Sequence, residues 1–379
     1  MEIVGVDIGT MFIVSAKLKG GKAEIKSLRN MFLPVTDGMI ESSEIANTDL
    51  DYVEVKDEDG ETEELYIISE DVYRFGNAFN VKVRRPMANG LISRDEIDAQ
   101  DILTLMVEKL VGRTKDGYCV YSVPEQAIDI DSPSPLYHEK VFGNIFSALG
   151  YKSKAINEAM AIVYNECQKE NFSGIGISFG AGLTNVVCSY KGVPIIKFAV
   201  NRGGDWIDNS AASSLGVIPN LVTSIKEKPT IHLNGPYVAK KGKNAKREKR
   251  IAEAIKFYYR DLIQYVLKII TNTFNQDDAG LGIQEPIPIV VSGGTSKPNG
   301  FLEVFEEVFK SMEDEFPYEI TEIRHASDPL KAVAAGCLVY AEWECKKLDK
   351  NKVEAKKEAP KKVAAPKEAP KVEEGEKNE

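Results

Sequence analysis

Short apolar runs and two-residue alternations, broken by glycine, open the chain and return near its middle. Residues 2–18, EIVGVDIGTMFIVSAKL, alternate and then run apolar. The pattern predicts two strands joined at Gly9–Thr10, the second closed by Gly20–Gly21. A further strand over Ala23–Leu28 completes a three-strand antiparallel start to a sheet. Residues 30–84 are less apolar and read as a small inserted subdomain. Within it, Tyr52–Val55 and Glu64–Ile68 are expected strands around a turn near Asp59–Gly60. A Pro/Gly loop then leads into a helix whose apolar face carries Ile97, Ile102, Leu105, Met106, Val107 and Leu110. Tyr118–Val123 reads as a buried strand stopped by Pro124, and His138–Leu149 as a helix ended by Gly150. Ser153–Ile156 is a short strand, and Glu158–Cys167 starts a helix.

Gly174–Val187, GIGISFGAGLTNVV, repeats the opening pattern. An apolar run, Ile175 to Phe179, meets Gly180 and Gly182 and then the polar pair Thr184 and Asn185. A strand that ends in small residues and returns as a second strand makes a tight hairpin. Glycine has no Cβ, so backbone N–H groups at such a turn approach an anion closely. Val4–Thr10, VGVDIGT, has the same build, with Gly9 followed by a hydroxyl. Two phosphate-sized turns about 170 residues apart point to a duplicated architecture with a nucleotide between the halves. Beyond the second hairpin, Val193–Val200 is a strand and Trp206–Leu215 a helix, preceded by Arg202–Gly203–Gly204–Asp205. A long amphipathic helix follows, through about Asn275. Gln284–Val291 is a strand running into Ser292–Gly293–Gly294–Thr295, and a helix follows from Phe301. Tyr318–Ile323 is the last strand, and Pro329–Glu344 the last core helix.

Composition narrows the class. The chain has 379 residues, enough for two or three domains' worth of core. Apolar residues at 43% and charged residues at 28% are ordinary for a globular protein. A net charge of −10 argues against a general nucleic-acid binder. The five cysteines form no CxxC pair and read as buried, reduced thiols of a cytoplasmic protein. The three histidines have no metal-ligand spacing. The chain opens directly on a strand-like run, so no signal peptide is expected, and no apolar stretch approaches a bilayer span. The basic run 240–250 reads as a solvated loop and helix start, with contact to anionic lipid, a partner or a neighbouring subunit as the alternative. Residues 346–379, rich in Lys, Glu, Ala and Pro, bury too little surface to order themselves and read as a disordered tail. The tail is either solubilising or a tether for a protein partner.

The order of these features resembles the actin-like ATPase superfamily, which also holds heat-shock chaperones and sugar kinases. A strand–DxGT–strand turn, an inserted subdomain, an NEAMA helix start, a second glycine hairpin, a GGD helix start, SGGTSKPNGF after a strand and a closing DPLKAVAAG helix follow one another. Within the superfamily, DVYRFGNAFNVKVRRPMANGLI (71–92) and VYSVPEQ (120–126) look most like bacterial actins of the MreB kind. The resemblance covers roughly residues 2–342. It implies a two-lobed α/β fold of duplicated ribonuclease H-like domains, mixed sheets flanked by helices, with small inserted subdomains. Lobe I would take 1–170 plus 325–345, with an insertion at about 30–84. Lobe II would take 171–324, with an insertion at about 222–250, leaving 346–379 as the tail.

The resemblance also implies a nucleotide-dependent homo-polymer that binds ATP and Mg²⁺. Asp7 would face the metal and its waters, and Gly9 and Thr10 would hold the β-phosphate. The alternative is an Asp that caps a turn. Glu158 would orient or deprotonate the attacking water; the alternative is a first-turn Glu favoured by the helix dipole. Gly180, Gly182 and Thr184 would touch the β- and γ-phosphates. Gly203, Gly204 and Asp205 either meet the nucleotide or form a tight turn with Asp as N-cap. Lys226 would clamp the adenosine, and Gly293, Gly294, Thr295 and Lys297 would form the adenosine-side loop. Two positions depart from the pattern. Ser178 stands where aspartate is usual, and Asn185 where a carboxylate or histidine is common. Both sites have lost charge, which implies retained ATP binding with slow hydrolysis. The alternatives are a non-hydrolysing ATP-binding scaffold, as in FtsA-like or pilus-assembly relatives, and a chaperone-type ATPase. A sugar kinase lacks a convincing substrate-base aspartate here.

Overall fold

The structure, a computed structural model, describes residues 1–35, 50–56, 62–72, 75–76, 83–238, 242–276, 283 and 285–358. The expected turn near Asp59–Gly60, parts of the 71–92 segment, Lys240 and Lys241 of the basic run, and residues 359–379 of the tail lie outside them.

Alternation and a glycine pair build the first sheet. Strands β1 (Glu2–Ile8), β2 (Phe12–Lys19) and β3 (Lys22–Arg29) form the expected antiparallel meander. Between β2 and β3, Gly20 and Gly21 both take positive φ, as a two-residue hairpin turn of the type matching strand twist requires. Where an insertion was expected, a three-stranded sheet of β4 (Phe32–Pro34), β6 (Thr62–Ile68) and β5 (Tyr52–Lys56) follows, in that order. A small hairpin, β7 (Met87–Ala88) with β8 (Leu91–Ile92), comes next. Helix α1 (Ala99–Val111) then carries the chain to β9 (Gly117–Val123), parallel to β1. Ile97 was expected on the helix face, but it precedes the first turn and is 93% exposed. Helix α2 (Leu136–Ala148) leads to β10 (Tyr151–Asn157), parallel to β9. The sheet order is β10-β9-β1-β2-β3.

The second sheet repeats this design. Strands β11 (Gly174–Phe179), β12 (Thr184–Tyr190) and β13 (Val193–Val200) form an antiparallel meander. Strands β14 (Ile287–Ser292) and β15 (Ile320–His325) then add in parallel on the far side of β11. Their order, β13-β12-β11-β14-β15, mirrors the first sheet element for element. The central strands β11 and β14 are buried at every position, as parallel strands covered on both faces must be. Between β13 and β14 lie α4 (Gly204–Leu215), α5 (Pro219–Lys226) and the 32-residue α6 (Ala245–Gln276). Helix α7 (Phe301–Lys310) connects β14 to β15. The core of this half packs around α6, through Ile251, Ile255, Tyr259, Leu262, Val266 and Ile270. Helix α5 has no counterpart in the sequence-based expectation. It has only eight residues, with proline in its first turn.

Two helices tie the halves together. Helix α3 (Glu158–Glu166) leaves the first sheet at β10 yet packs on β11 and β12 of the second. Helix α8 (Ala332–Glu358) leaves the second sheet at β15, and its Ala334 and Leu338 pack on Val14 and Ala16 of the first. The two helices meet backbone to backbone: a Cβ on Gly336 would lie 1.8 Å from the Ala161 carbonyl oxygen. Residues 1–342 form one compact unit, and 343–379 a second. The tail expected to be disordered from residue 346 is helical as far as Glu358. Its Lys, Glu and Ala residues are strong helix formers, and no proline interrupts them before Pro360. Among the described residues, no helix is long and apolar enough to cross a membrane.

Candidate functional site

The two meanders present the same turn to one cavity of about 520 Å³. In the first, Gly9 N–H donates to the Phe12 carbonyl at 3.0 Å; in the second, Gly180 N–H donates to the Leu183 carbonyl at 3.0 Å. A Cβ on either glycine would fall 2.7 or 2.8 Å from that same carbonyl oxygen, so the turn admits only glycine there. The turns touch each other through the β7–β8 hairpin. Gly90 N–H donates to Thr10 Oγ1 at 3.0 Å, and a Cβ on Gly182 would lie 2.6 Å from Gly90 N and 2.8 Å from Thr10 Oγ1.

Asp7, Gly9 and Thr10 from the first turn line the cavity, as do Ser178, Gly180 and Gly182 from the second. Asn185 also lines it, but Thr184 does not. Ser178 pairs across the hairpin with Asn185, and Phe179 with Thr184. Side chains on neighbouring strand positions face opposite ways, so Thr184 is fully buried and donates to the Arg202 carbonyl at 2.7 Å.

Of the acidic residues lining the cavity, Asp7 and Glu158 stand beside the two turns. Asp7 Oδ1 accepts from Ser122 Oγ at 2.8 Å, and that hydroxyl in turn accepts from Ile8 N–H at 3.0 Å. Glu158 is the first residue of α3, whose N-cap Asn157 accepts from Met160 N–H at 2.8 Å. Its Oε1 accepts from Ser178 Oγ at 2.5 Å, and its Oε2 from Asn185 Nδ2 at 2.9 Å. Burial pushes both carboxyls above their ordinary range, and the nearby Asp7 pushes Glu158 further up against the opposing Ser178 hydrogen bond.

Arg29 and Lys226, two of the cations lining the cavity, are held by other carboxylates. Arg29 binds Glu227 at 3.1 Å and Glu70 at 2.8 Å, and Lys226 binds Asp208 at 2.7 Å. A cation would therefore be welcome beside Asp7, where the oxygens of Asp7 and Thr10 line the cavity. That set suits Mg²⁺, which keeps several waters and takes one or two carboxylates plus phosphate oxygens. Among the described residues, no group of three or more His, Cys, Asp or Glu could hold a metal alone. A metal would fit here as part of a phosphate complex.

The rest of the cavity gathers the remaining sequence candidates. Gly293 has φ 91°, and a Cβ there would meet the Phe179 carbonyl oxygen at 2.3 Å. Gly294, Thr295 and Lys297 line the wall beside it, and Thr295 Oγ1 donates to the Gly180 carbonyl at 2.8 Å. Lys226 also donates to the Gly204 carbonyl at 2.9 Å. Gly204 and Asp205 line the cavity and Gly203 does not. The N–H groups of Gly204 and Asp205 donate to the Gly180 and Ala181 carbonyls at 3.0 and 2.9 Å. The Asp205 carboxylate pairs with Arg85 at 2.8 Å. This helix start anchors the second turn.

Sequence reasoning missed several lining residues: Arg29, Glu227, Tyr259, and an apolar wall that includes Pro229, Ile231, Pro298 and Leu330. Arg29, Glu227, Tyr259, Pro229 and Ile231 sit in no recognisable motif, while Pro298 and Leu330 lie inside SGGTSKPNGF and DPLKAVAAG without being singled out there. The one local cue was for Glu227, which directly follows Lys226.

Comparison with known proteins places these features in a family. The family model described as Volactin matches residues 1–341. No curated protein matches the chain. Among solved structures, the MamK double helical filament is 14% identical, covering 90% of this chain and 98% of that one, with a TM-score of 0.61. MreB5 of Spiroplasma citri bound to ADP is 14% identical over 92% of this chain and 98% of that one, also at 0.61. The ethanolamine utilization protein EutJ from Carboxydothermus hydrogenoformans is 17% identical over 90% of each, at 0.51. At these identities the likeness is one of fold, and the fold is the two-lobed actin-like one.

Proposed function

The chain belongs to the Volactin family, and on that premise we propose that it is an ATP-binding, actin-like cytoskeletal protein of the cytoplasm. It polymerises in a nucleotide-dependent way and hydrolyses ATP slowly. The observation that carries this reading is the pair of equivalent glycine turns closing on one cavity, with Asp7 at one and Glu158 at the other. The solved structures of similar fold include the MamK filament and MreB5 bound to ADP, which supports the same reading.

In this reading the β- and γ-phosphates lie between the turns at Gly9–Thr10 and Gly180–Gly182. The nucleoside extends along Gly293–Lys297 toward Pro229 and Ile231. Asp7, fixed by Ser122, faces the metal site. Bound Mg²⁺ would supply charge stabilisation to the phosphate oxygens. Glu158 accepts hydrogen bonds at both oxygens from Ser178 and Asn185 and has lone pairs left for an attacking water. Most of the acceleration in phosphoryl transfer comes from positioning and electrostatics, with general-base help as a supplement. Nucleotide state would change the closure of the lobes and so the fit between subunits.

A second reading is a non-hydrolysing ATP-binding scaffold. The neutral residues Ser178 and Asn185, where charge is usual, favour it. One assay separates the two: purified protein with ATP and Mg²⁺, followed by phosphate release and electron microscopy. Filaments with phosphate release support the first reading. ATP binding without release supports the second, and no binding removes both.

A further inference from the structure

The two positions at which the second turn lacks a carboxylate touch the same side chain. Ser178 and Asn185 are opposite one another on β11 and β12, and each donates to a different oxygen of Glu158. Both are 1% exposed. The Asn185 amide is itself oriented: its Oδ1 accepts from Glu125 N–H at 2.9 Å, which turns its Nδ2 toward Glu158. One cross-strand pair thus grips both ends of one carboxylate.

We propose that Ser178 and Asn185 are positioning residues that hold the Glu158 carboxylate toward the water attacking the terminal phosphate. The inference rests on the hydrolytic reading above and deepens it. In the step concerned, the water oxygen bonds to the γ-phosphorus. The bond from that phosphorus to the bridging oxygen breaks, leaving its electron pair on ADP. The water proton passes to Glu158 and on to solvent.

Charge explains why neutral donors occupy these positions. A carboxylate at 178 or 185 would sit at hydrogen-bond distance from Glu158, with Asp7 also near. Three buried carboxylates so close raise one another's pKa, and a third would compete with Glu158 for its charged form. Ser and Asn instead supply an O–H and an N–H to the anion, and such charge-assisted bonds are short and directional. Two fixed donors also hold a side chain that would otherwise sample several rotamers. The departure from the usual pattern thus leaves Glu158 as the carboxylate beside the second turn and fixes it there.

The test compares wild type with Ser178→Ala, Ser178→Thr, Asn185→Ala and Asn185→Asp, each also combined with Glu158→Gln. Steady-state phosphate release under saturating ATP and Mg²⁺ gives kcat, and competition with a fluorescent ATP analogue gives affinity. Ser178→Ala and Asn185→Ala are expected to lower kcat about tenfold each, with affinity held within about twofold. Ser178→Thr keeps the hydroxyl and stays near wild type. Asn185→Asp falls furthest, by about a hundredfold, because it sets an acid against Glu158. With Glu158→Gln in place, the alanine changes add nothing, since they act through Glu158. Should Ser178→Ala fail to fold, Asn185→Ala and Ser178→Thr still decide the matter. Wild-type kcat in both alanine variants, or losses that persist undiminished beside Glu158→Gln, would overturn the proposal. A wild-type protein that binds ATP and releases no phosphate would overturn the hydrolytic reading and this inference with it, a result distinct from active but insensitive variants.

Discussion

The first and second glycine turns share a backbone and differ in chemistry. Each closes Gly N–H onto the carbonyl three residues on, each follows the central strand of its sheet, and each has a hydroxyl from the neighbouring parallel strand nearby in register. Asp7 of the first corresponds to Ser178 of the second, and Val14, across the hairpin from Asp7, corresponds to Asn185. The first turn carries its own carboxylate on its own strand. The second is neutral and borrows Glu158 from α3, a helix that begins at the end of the other sheet. Duplication repeated the frame, while the charge was distributed as one carboxylate per turn.

The sharpest way to break this comparison is to remove the charge from the first turn. Asp7→Asn keeps the shape and the Ser122 contact but deletes the only acid there. Phosphate release is expected to fall about a hundredfold or more, measured beside an unchanged folded-state circular dichroism spectrum. Making the second turn chemically like the first is the reverse test. Ser178→Asp is expected to slow phosphate release by about tenfold to a hundredfold, because the new acid faces Glu158 at close range. Faster release would mean that charge at 178 had simply been lost.

Backbone equivalence is tested by Gly9→Ala and Gly180→Ala. Each methyl meets a carbonyl oxygen at nearly the same distance, 2.7 against 2.8 Å. The two variants are expected to lose similar stability, about 2 kcal/mol each, in urea unfolding. A large disparity would show that the turns are less alike than their hydrogen bonds.

The smallest effect concerns a group the second half does not share. His138 on α2 is buried against Phe142, and burial lowers its pKa to about 4. The unfolded chain therefore binds a proton more readily than the folded one between pH 6.5 and 4. This contribution to stability is intact at neutral pH and shrinks as pH falls through that window. From pH 7 to 5.5 the loss is about 1 kcal/mol. His138→Leu should flatten this part of the pH profile of unfolding, and hydrogen exchange should place the wild-type loss in the first half.

Much of the frame was legible because glycine and alternation leave strong marks. The strand at Val193–Val200 and the start of α7 at Phe301 were placed to the residue. Both turns were visible as apolar runs ending in glycine. Thr184, expected at the phosphates, lies off the cavity because the facing of β12 depends on turn length, which composition does not reveal. Helix α5 was too short to show a period. The Arg29–Glu227 pair joins residues 198 positions apart, and nothing local marks it. Ser178 and Asn185 were legible as departures but not as partners. Their meaning depends on Glu158, which reaches them only because α3 crosses from one sheet to the other.

The most direct test of one carboxylate per turn is phosphate release by Glu158→Gln under saturating ATP and Mg²⁺. The amide keeps the side chain's size, and the account predicts a rate about a hundredfold below wild type with ATP affinity retained. A Glu158→Gln protein that releases phosphate at the wild-type rate would contradict it.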